Sequence, residues 1–477
     1  MAEMEKNEYR DQRLANMEKL KVFGHKPFGH AFKRSGNLAS IRCDFKEEMK
    51  VSAAGRLTTI RSMGKSIFAD IRDGTGKFQV YAQKNALGDQ AFEAFKLLDV
   101  GDHIGLEGQL FTTHAGEPTI KIDRWELLSK ALLPLPEKWH GLKDVEARYR
   151  QRYLDLIASQ EVRDLFNKRT MAIREIRNFL FDRGFLEVET PMMQSMAGGA
   201  AARPFVTRYT ALDTDMYLRI APELYLKRLL VGGFDKVFEL NRNFRNEGLS
   251  RTHNPEFTML EIYEAYSNVS GMKEIVEGLI VHVAKTVFGG LKVNFGEHAI
   301  DFTPPWREVA YRDLITEKMG ADWYGLSVTD AGRKATELGL TIEKSWDHLA
   351  ITHEVYEKTI EKTLIQPTFV TRLPAALVPL AKACEDDDTC ADVFELEIAG
   401  QEIAPGYTEM NDPLEQRKRL EAQAGGASID EEFVIALEHG MPPAGGMGIG
   451  IDRLIMVLSG IEAIRDVILF PQLRPRT

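Results

Sequence analysis

The segment from Phe238 to Tyr263, FELNRNFRNEGLSRTHNPEFTMLEIY, constrains the fold more than any other part of the chain. Apolar residues recur at every second position on both sides of a polar stretch containing glycine and proline, which predicts two strands joined by a loop. Alternate residues of a strand face opposite sides. In the first strand Phe238, Leu240 and Phe244 fall on the core side, and Glu239, Arg245 and Glu247 on the other. In the second, Phe257, Met259, Glu261 and Tyr263 share a face while Leu260 and Ile262 point away. Arg251 and His253 belong to the loop. One surface thus gathers a guanidinium, carboxylates, an imidazole and an aromatic plate. That set suits an anionic ligand with a flat ring, such as ATP. Arginine offers a planar fork to phosphate or carboxylate oxygens, a glutamate accepts from an adenine amino group, and a phenylalanine stacks under the base. The same residues also fit the solvated face of an ordinary hairpin.

The rest of the chain narrows the class. Its 477 residues suggest two or three domains. No apolar run approaches a membrane span, and the charged N-terminus, MAEMEKNEYR, has no apolar segment of the secretory kind. A cytoplasmic location without membrane attachment is expected. The three cysteines, Cys43, Cys384 and Cys390, form no metal-type pair, and free thiols in a reducing compartment fit them. The net charge of −10 argues against a simple basic coat for nucleic acid, though not against a local basic surface.

The periodicity changes along the chain. Residues 1–35 read as an exposed amphipathic helix, with Leu14, Met17, Leu20 and Val22 as a rough apolar stripe and His25-Lys26-Pro27 ending it. From Val51 the period becomes two. Three short strands are expected as far as Lys84, with a turn at Asp73-Gly74-Thr75-Gly76. An inserted helical stretch, Lys84 to Phe95, precedes two more strands around Asp102–Phe111 and Thr119–Leu128. Five strands with such an insertion match a small Greek-key barrel of the oligonucleotide-binding (OB) type, and other small barrels fit the same spacing. Leu132 to Asp144 reads as a linker. Helical patterns at Val145–Ala158 and Val162–Gly184 follow, then mixed strands and helices, with strand-like hairpins at Phe205–Arg219 and Glu395–Asn411. No glycine-rich loop of the doubly wound nucleotide folds is present.

Three further constellations stand out. In Gly445-Gly446-Met447-Gly448-Ile449-Gly450-Ile451-Asp452-Arg453 the glycines let a strand lie close to a ligand, and Arg453 starts an apolar helix where it can reach a phosphate. A glycine-rich turn into a core helix is the plainer reading. Glu395 and Glu397 share one face of a strand, and the Ala399-Gly400 turn brings Glu402 back beside Glu395. Two carboxylates so close call for a cation between them, and hard oxygen ligands suit Mg2+ held with substrate phosphates. Taken alone, an acidic solvated hairpin accounts for them equally. Arg183 to Pro191, RGFLEVETP, reads as a helix ending at Gly184 and an alternating strand that runs to Pro191.

Taken in chain order, GFLEVETP resembles motif 1 of the class II aminoacyl-tRNA synthetases, FRNE with His253 and Phe257 behind it resembles motif 2, and GIGIDR resembles motif 3. The barrel ahead of the catalytic part is similar to the lysine, aspartate and asparagine subgroup. HGLKDVEARYRQRYLDL, GGAAARPF, DMYLRIAPELYLKRLLVGG, RNFRNEG, HNPEFTMLEIY, EHGMPP and RDVILFP resemble its bacterial lysine-activating branch over nearly the whole chain. The resemblance implies an α+β chain. It consists of an N-terminal helical extension (1–50), a five-stranded OB-type β-barrel that binds the anticodon (51–130), a linker (131–146) and a class II synthetase domain (147–477) built on an antiparallel sheet flanked by helices. It implies that the chain joins L-lysine to ATP as lysyl-adenylate, transfers lysine to tRNA(Lys), uses Mg2+, and works as a homodimer.

The family's roles pass to matching positions. Arg245 and Arg453 would be the catalytic cations, Arg245 on the α-phosphate and the carboxylate, Arg453 with His253 on the outer phosphates. Glu247 would read the adenine amino group and Phe257 stack on the ring, with Gly450 and Glu395 completing the ATP site. Glu395 and Glu402 would hold the metal. Glu223 and Glu261 would engage the α-amino end of lysine, and Glu409, Tyr263 and Tyr407 surround its ε-ammonium. Phe68, Gln79 and Glu117 would meet the anticodon. The acidic pocket has its own rationale, since a substrate with two ammonium groups needs carboxylates, whereas aspartate would need a cation where Glu409 lies. The chain departs from the subgroup at Pro405, where an asparagine is expected, and at Val378, where a serine is expected. Relatives that modify a protein instead of tRNA lack the barrel, and a non-catalytic relative would lack Arg245 or Arg453.

Overall fold

The computed structural model describes residues 2–135, 144–200, 202–248, 250–425 and 429–475. They form two compact units, Met1–Lys143 with Tyr153–Ala158, and Asp144–Arg152 with Ser159–Thr477. Most of the expected linker, residues 136–143, lies outside the described residues.

The first unit is a closed five-stranded barrel. Its strands, Lys50–Met63, Ser66–Arg72, Lys77–Gln83, His103–Thr112 and Pro118–Ser129, bury alternate residues, as a period-two pattern requires. The turn at residues 73–76 is closed by Asp73, whose carboxylate accepts from the backbone N–H groups of Thr75 and Gly76. Short helices at Lys84–Leu87 and Asp89–Phe95 fill the insertion, and Phe92 and Phe95 plug the barrel core. The N-terminal helix, Ala2–Val22, is shorter than expected and is not a free surface helix. Leu20 is buried in the barrel core, and the Arg13 guanidinium donates to the carbonyls of Val100, Ala131 and Leu133. Such charge-assisted bonds offset the desolvation of a buried cation.

The second unit is built on an eight-stranded sheet. Chain alternation divides it into two unlike faces. Phe238, Leu260, Ile262, Phe394, Leu396, Met447 and Ile449 pack into one core with the helices Gln160–Phe181, Val269–Val283 and Ile451–Ser459. The intervening residues, among them Glu239, Glu261, Tyr263, Glu395 and Tyr407, belong to the opposite face. The six central strands are antiparallel to their neighbours, as expected, but both edges are parallel pairs, Arg307–Ala310 with Thr368–Thr371 and Leu186–Glu187 with Lys236–Phe244.

Three local expectations need correction. The strand expected to reach Pro191 covers only Leu186–Glu187, followed by one further backbone bond from the Val188 N–H to the Phe238 carbonyl. The helical pattern at 145–158 divides at Gln151 into Val145–Arg150 and Arg152–Ala158. The first strand of the opening hairpin stops at Phe244, so Arg245 and Glu247 belong to the loop rather than to the strand face.

Candidate active site

The hairpin Lys236–Phe244 and Glu256–Ala265 pairs in register Glu239 with Glu261 and Asn243 with Phe257. Cross-strand pairing therefore puts a second acid beside Glu261. Glu239 is already matched: Arg219 lies 2.6 Å away and Thr190 donates to it at 2.7 Å. The Thr190 end of RGFLEVETP is thus tied to the floor of the site. Strand Ala444–Gly450 lies next to the hairpin, with Gly446 opposite Tyr263 and Gly448 opposite Glu261.

A cavity of about 270 Å3 opens at the loop end of the hairpin, lined by Arg245, Glu247, His253, Phe257, Glu402 and Arg453, with Gly450 at its edge. The Arg245 guanidinium lies 5.2 Å from the centre of the Phe257 ring. Its buried Nε has no hydrogen-bond partner among the described residues, which leaves a cation with donor capacity to spare. Arg453 is anchored instead: one guanidinium nitrogen donates to the Glu402 carbonyl at 2.8 Å and another lies 2.9 Å from His253 Nε2. An arginine only donates, so His253 accepts there and its proton sits on Nδ1, 2.8 Å from Ser250 Oγ. Burial, followed by the Arg453 charge, keeps the imidazole below its usual pKa and hence neutral at pH 7. Asp452, next to Arg453, accepts from the Thr258 backbone N–H at 2.7 Å and lies 2.7 Å from Arg169, so the helix start is pinned to the hairpin.

The acidic hairpin differs from expectation in register. The two-residue turn Ala399-Gly400 pairs Ile398 with Gln401 and so makes Glu402 the backbone partner of Glu397, while a bulge between Leu396 and Glu397 sets Glu395 against Pro405. Glu395 and Glu402 are nonetheless close enough that Glu402 is the first charge, after burial, to push Glu395 well above the usual carboxylate range. Glu361 and Glu357 add to the same field, and Glu397 is raised likewise by burial and by Glu395. Glu397 Oε2 is buried and without a hydrogen-bond partner among the described residues. An all-oxygen donor set at this density of negative charge fits a hard divalent cation. No described group of three or more such side chains forms a closed cage, and an ion of this kind usually draws further ligands from phosphates and water.

Deeper along the same sheet face a second cavity, of about 370 Å3, is bordered by Gly199, Glu223, Val378, Leu380 and Tyr407. Glu261, Tyr263 and Glu409 are almost fully buried. Tyr263 donates to Glu261 at 3.1 Å, and burial with the Glu223 charge raises both groups well above their usual pKa. Lys227 was not foreseen. It is fully buried, with its ammonium 2.7 Å from Glu223 and 2.5 Å from Glu409. Its i, i+4 spacing from Glu223 on a helix was the available signal. Of the two departures from the subgroup, Pro405 lines the first cavity and Val378 the second.

The glycines of residues 445–450 also make room within the protein. A Cβ at Gly446 would lie 2.0 Å from Glu409 Oε1 and 2.5 Å from the Tyr263 ring, and one at Gly448 would lie 2.4 Å from Met259 Cε. Gly446→Ala should therefore displace Glu409 and Tyr263. The KM for the amino acid should rise on the order of tenfold or more with an unchanged KM for ATP, measured by ATP–pyrophosphate exchange.

In the barrel unit Phe68, Tyr81 and Phe111 form a line of half-buried rings on the strand surface, with centroids 4.7 and 5.8 Å apart. Gln79 donates to Thr119 at 2.9 Å, and Arg42 bonds Glu117 at 3.0 Å. Gln79, Glu117, Arg42, Arg61 and Lys77 border one groove. Tyr81 and Phe111 were not foreseen, although Tyr81 is the cross-strand partner of Phe68.

Comparison with known proteins agrees with this geometry. Residues 144–474 match the family of tRNA synthetases class II (D, K and N), and residues 51–128 match the OB-fold nucleic acid binding domain. The chain is 50% identical over 490 residues to the lysine–tRNA ligase of Syntrophomonas wolfei, covering 100% of this chain and 99% of that one. It is 49% identical over 487 residues to that of Carboxydothermus hydrogenoformans, with both chains fully covered. It is 46% identical over 495 residues to that of Bacillus cereus, at 99% of each.

Proposed function

The chain belongs to the class II tRNA synthetases of the aspartate, lysine and asparagine group, and from that membership we propose how its residues divide the reaction between them. The protein activates L-lysine with ATP to lysyl-adenylate and transfers lysine to tRNA(Lys). The observation that carries the assignment of the amino acid is the cluster of buried carboxylates formed by Glu223, which borders the second cavity, with Glu261 and Glu409, which suits a substrate bearing two ammonium groups.

ATP occupies the first cavity, its base against Phe257 and its amino group near Glu247. Arg245 neutralises the α-phosphate and orients the lysine carboxylate, and Arg453 with neutral His253 faces the outer phosphates. The carboxylate attacks the α-phosphorus in line, the bond to pyrophosphate breaks, and no general base is required because the nucleophile is already ionised. Positioning and charge neutralisation supply the rate. In the second step a terminal ribose hydroxyl of tRNA attacks the adenylate carbonyl and AMP leaves. The family uses a divalent metal. Here Mg2+ would be held by Glu395 and Glu402, where it offsets phosphate charge. Lysine sits with its α-amino group toward Glu223 and Glu261 and its ε-ammonium toward Glu409, Tyr263 and Tyr407.

The barrel reads the anticodon through Phe68, Gln79 and Glu117, with Tyr81 and Phe111 extending the stacking line. Stacking on an aromatic ring contributes about 1–3 kcal/mol per base. Phe68→Ala should raise the KM for tRNA by roughly tenfold while lysine-dependent pyrophosphate exchange stays at the parental rate. Unchanged charging by this variant would remove the barrel's role. We further propose a homodimer. The edge strand Leu186–Glu187 is exposed, and Phe181, Met192, Met193, Val206, Tyr209 and Leu212 expose apolar surface in the same part of the chain. A cytoplasmic location fits this reaction, and no helix among the described residues is long and apolar enough to cross a membrane.

A further inference from the structure

Behind a carboxylate that borders the second cavity lies a charge that the reaction as described does not use. Lys227 lies in the helix Glu223–Val231, one turn beyond Glu223, and is fully buried. Its ammonium is 2.7 Å from Glu223 Oε1, 2.5 Å from Glu409 Oε2 and 3.4 Å from the Leu380 carbonyl. Glu223 and Leu380 also border the cavity, so this ammonium and the substrate's ammonium groups share the same carboxylates. The contact with Glu409 Oε2 is a short ion pair. Glu409 Oε1 is buried and has no hydrogen-bond donor among the described residues. A buried acceptor of this kind is normally satisfied, so it retains capacity for an incoming donor.

We propose that Lys227 is the positioning residue of the amino-acid pocket: its ammonium clamps Glu223 to Glu409 and leaves the pair one net negative charge, which selects an amino acid carrying a second ammonium group. This rests on the assignment of the second cavity to lysine. Two bare carboxylates at this depth repel, and one of them takes up a proton. A neutral Glu409 makes no ion pair with the substrate. With Lys227 in place, burial and Glu223 still raise Glu409 to about 7, against the lowering effect of Lys227. The other groups facing Glu409 are Tyr263 from the hairpin and Tyr407 from the strand that ends just before Glu409, both uncharged because burial and the surrounding carboxylates raise them well above their usual pKa. Glu261 is raised in the same way.

The sign follows. Lysine requires ionised Glu409, so the parental KM for lysine should fall as pH rises through about 7 and level off above it. Removing Lys227 removes the one cation that lowers Glu409, so the fall should move to higher pH. Lys227→Met is therefore expected to raise the KM for lysine on the order of tenfold at pH 7, with a decline that continues above pH 8, approaching one decade per pH unit for a single proton. The KM for ATP and kcat at saturating lysine should stay within about twofold. Lys227→Arg, which keeps the charge, should restore the parental pH dependence.

The experiment measures KM for lysine and for ATP by pyrophosphate exchange from pH 6 to 9 in the parent, Lys227→Met, Lys227→Arg and Glu409→Gln proteins. A parental lysine KM for Lys227→Met at every pH would overturn the proposal, as would a uniform loss of kcat and of both affinities without a pH shift. If Lys227→Met does not fold, Lys227→Arg decides alone: the parental pH dependence supports the clamp, and a dependence displaced upward refutes it. A parental lysine KM for Glu409→Gln removes the pocket assignment itself. A raised KM for Glu409→Gln beside a parental Lys227→Met removes only the clamp.

Discussion

Glu409→Gln is expected to lower kcat/KM for lysine by at least about a hundredfold in ATP–pyrophosphate exchange, with the KM for ATP within about twofold of the parent. The side chain is 1% exposed, is paired with Lys227, and does not line the cavity of Arg245 and Arg453. An amide of the same shape keeps the packing and removes the charge. The substrate's ε-ammonium would then be desolvated without a counter-charge, and Lys227 would lose one of its two carboxylates. Leaving a buried charge unpaired costs more than the pair itself contributes, which is why the effect should be large. The alternative, that Glu409 is only a structural partner of Lys227, predicts a drop in thermal stability with an unchanged preference among amino acids. Measuring both quantities on one preparation separates the two.

Arg245→Gln is expected to lower kcat for adenylate formation by roughly two to three orders of magnitude. The guanidinium projects from the loop after the first hairpin strand, beside the Phe257 ring, with its buried Nε free of any partner among the described residues. Such preorganised donors act where charge develops in the transition state, so the loss should appear in kcat more than in the KM for ATP. Arg453 is a useful contrast. It is held by the Glu402 carbonyl and by His253, and its role toward the outer phosphates predicts a larger change in the KM for ATP. Single-turnover formation of enzyme-bound adenylate, followed by rapid quench, distinguishes the two arginines.

Both predictions depend on features that the sequence makes legible to different degrees. Alternation placed Glu261 and Tyr263 on the face opposite Leu260 and Ile262, because side chains of a paired strand must alternate and one face is covered by helices. The five barrel strands were readable for the same reason. Arg245 and Glu247 were assigned to a strand that ends at Phe244, since alternation alone does not say where pairing stops. The expectation that Glu402 returns beside Glu395 missed the two-residue turn at Ala399-Gly400, which sets Glu397 and not Glu395 against Glu402; the bulge between Leu396 and Glu397, which leaves no mark in the apolar pattern, moves only the partner of Glu395. The glycines of residues 445–450 carry a packing role that the sequence does not show. What they avoid, such as Glu409 Oε1 against Gly446, comes from strands distant in sequence. Lys227 was invisible as a site residue because a lysine one turn from a glutamate is usually an exposed ion pair. Only the tertiary fold brings Glu409 to it from 182 positions further along, the difference between the two residue numbers.

The proposed division of the two cavities between ATP and lysine requires that lysine be the amino acid the chain activates. ATP–pyrophosphate exchange, run with each standard amino acid in turn on the intact chain with Mg2+, tests it most directly. Exchange with lysine at a rate well above every other amino acid is the predicted result. Exchange driven by aspartate or asparagine, or by no amino acid at all, would contradict it.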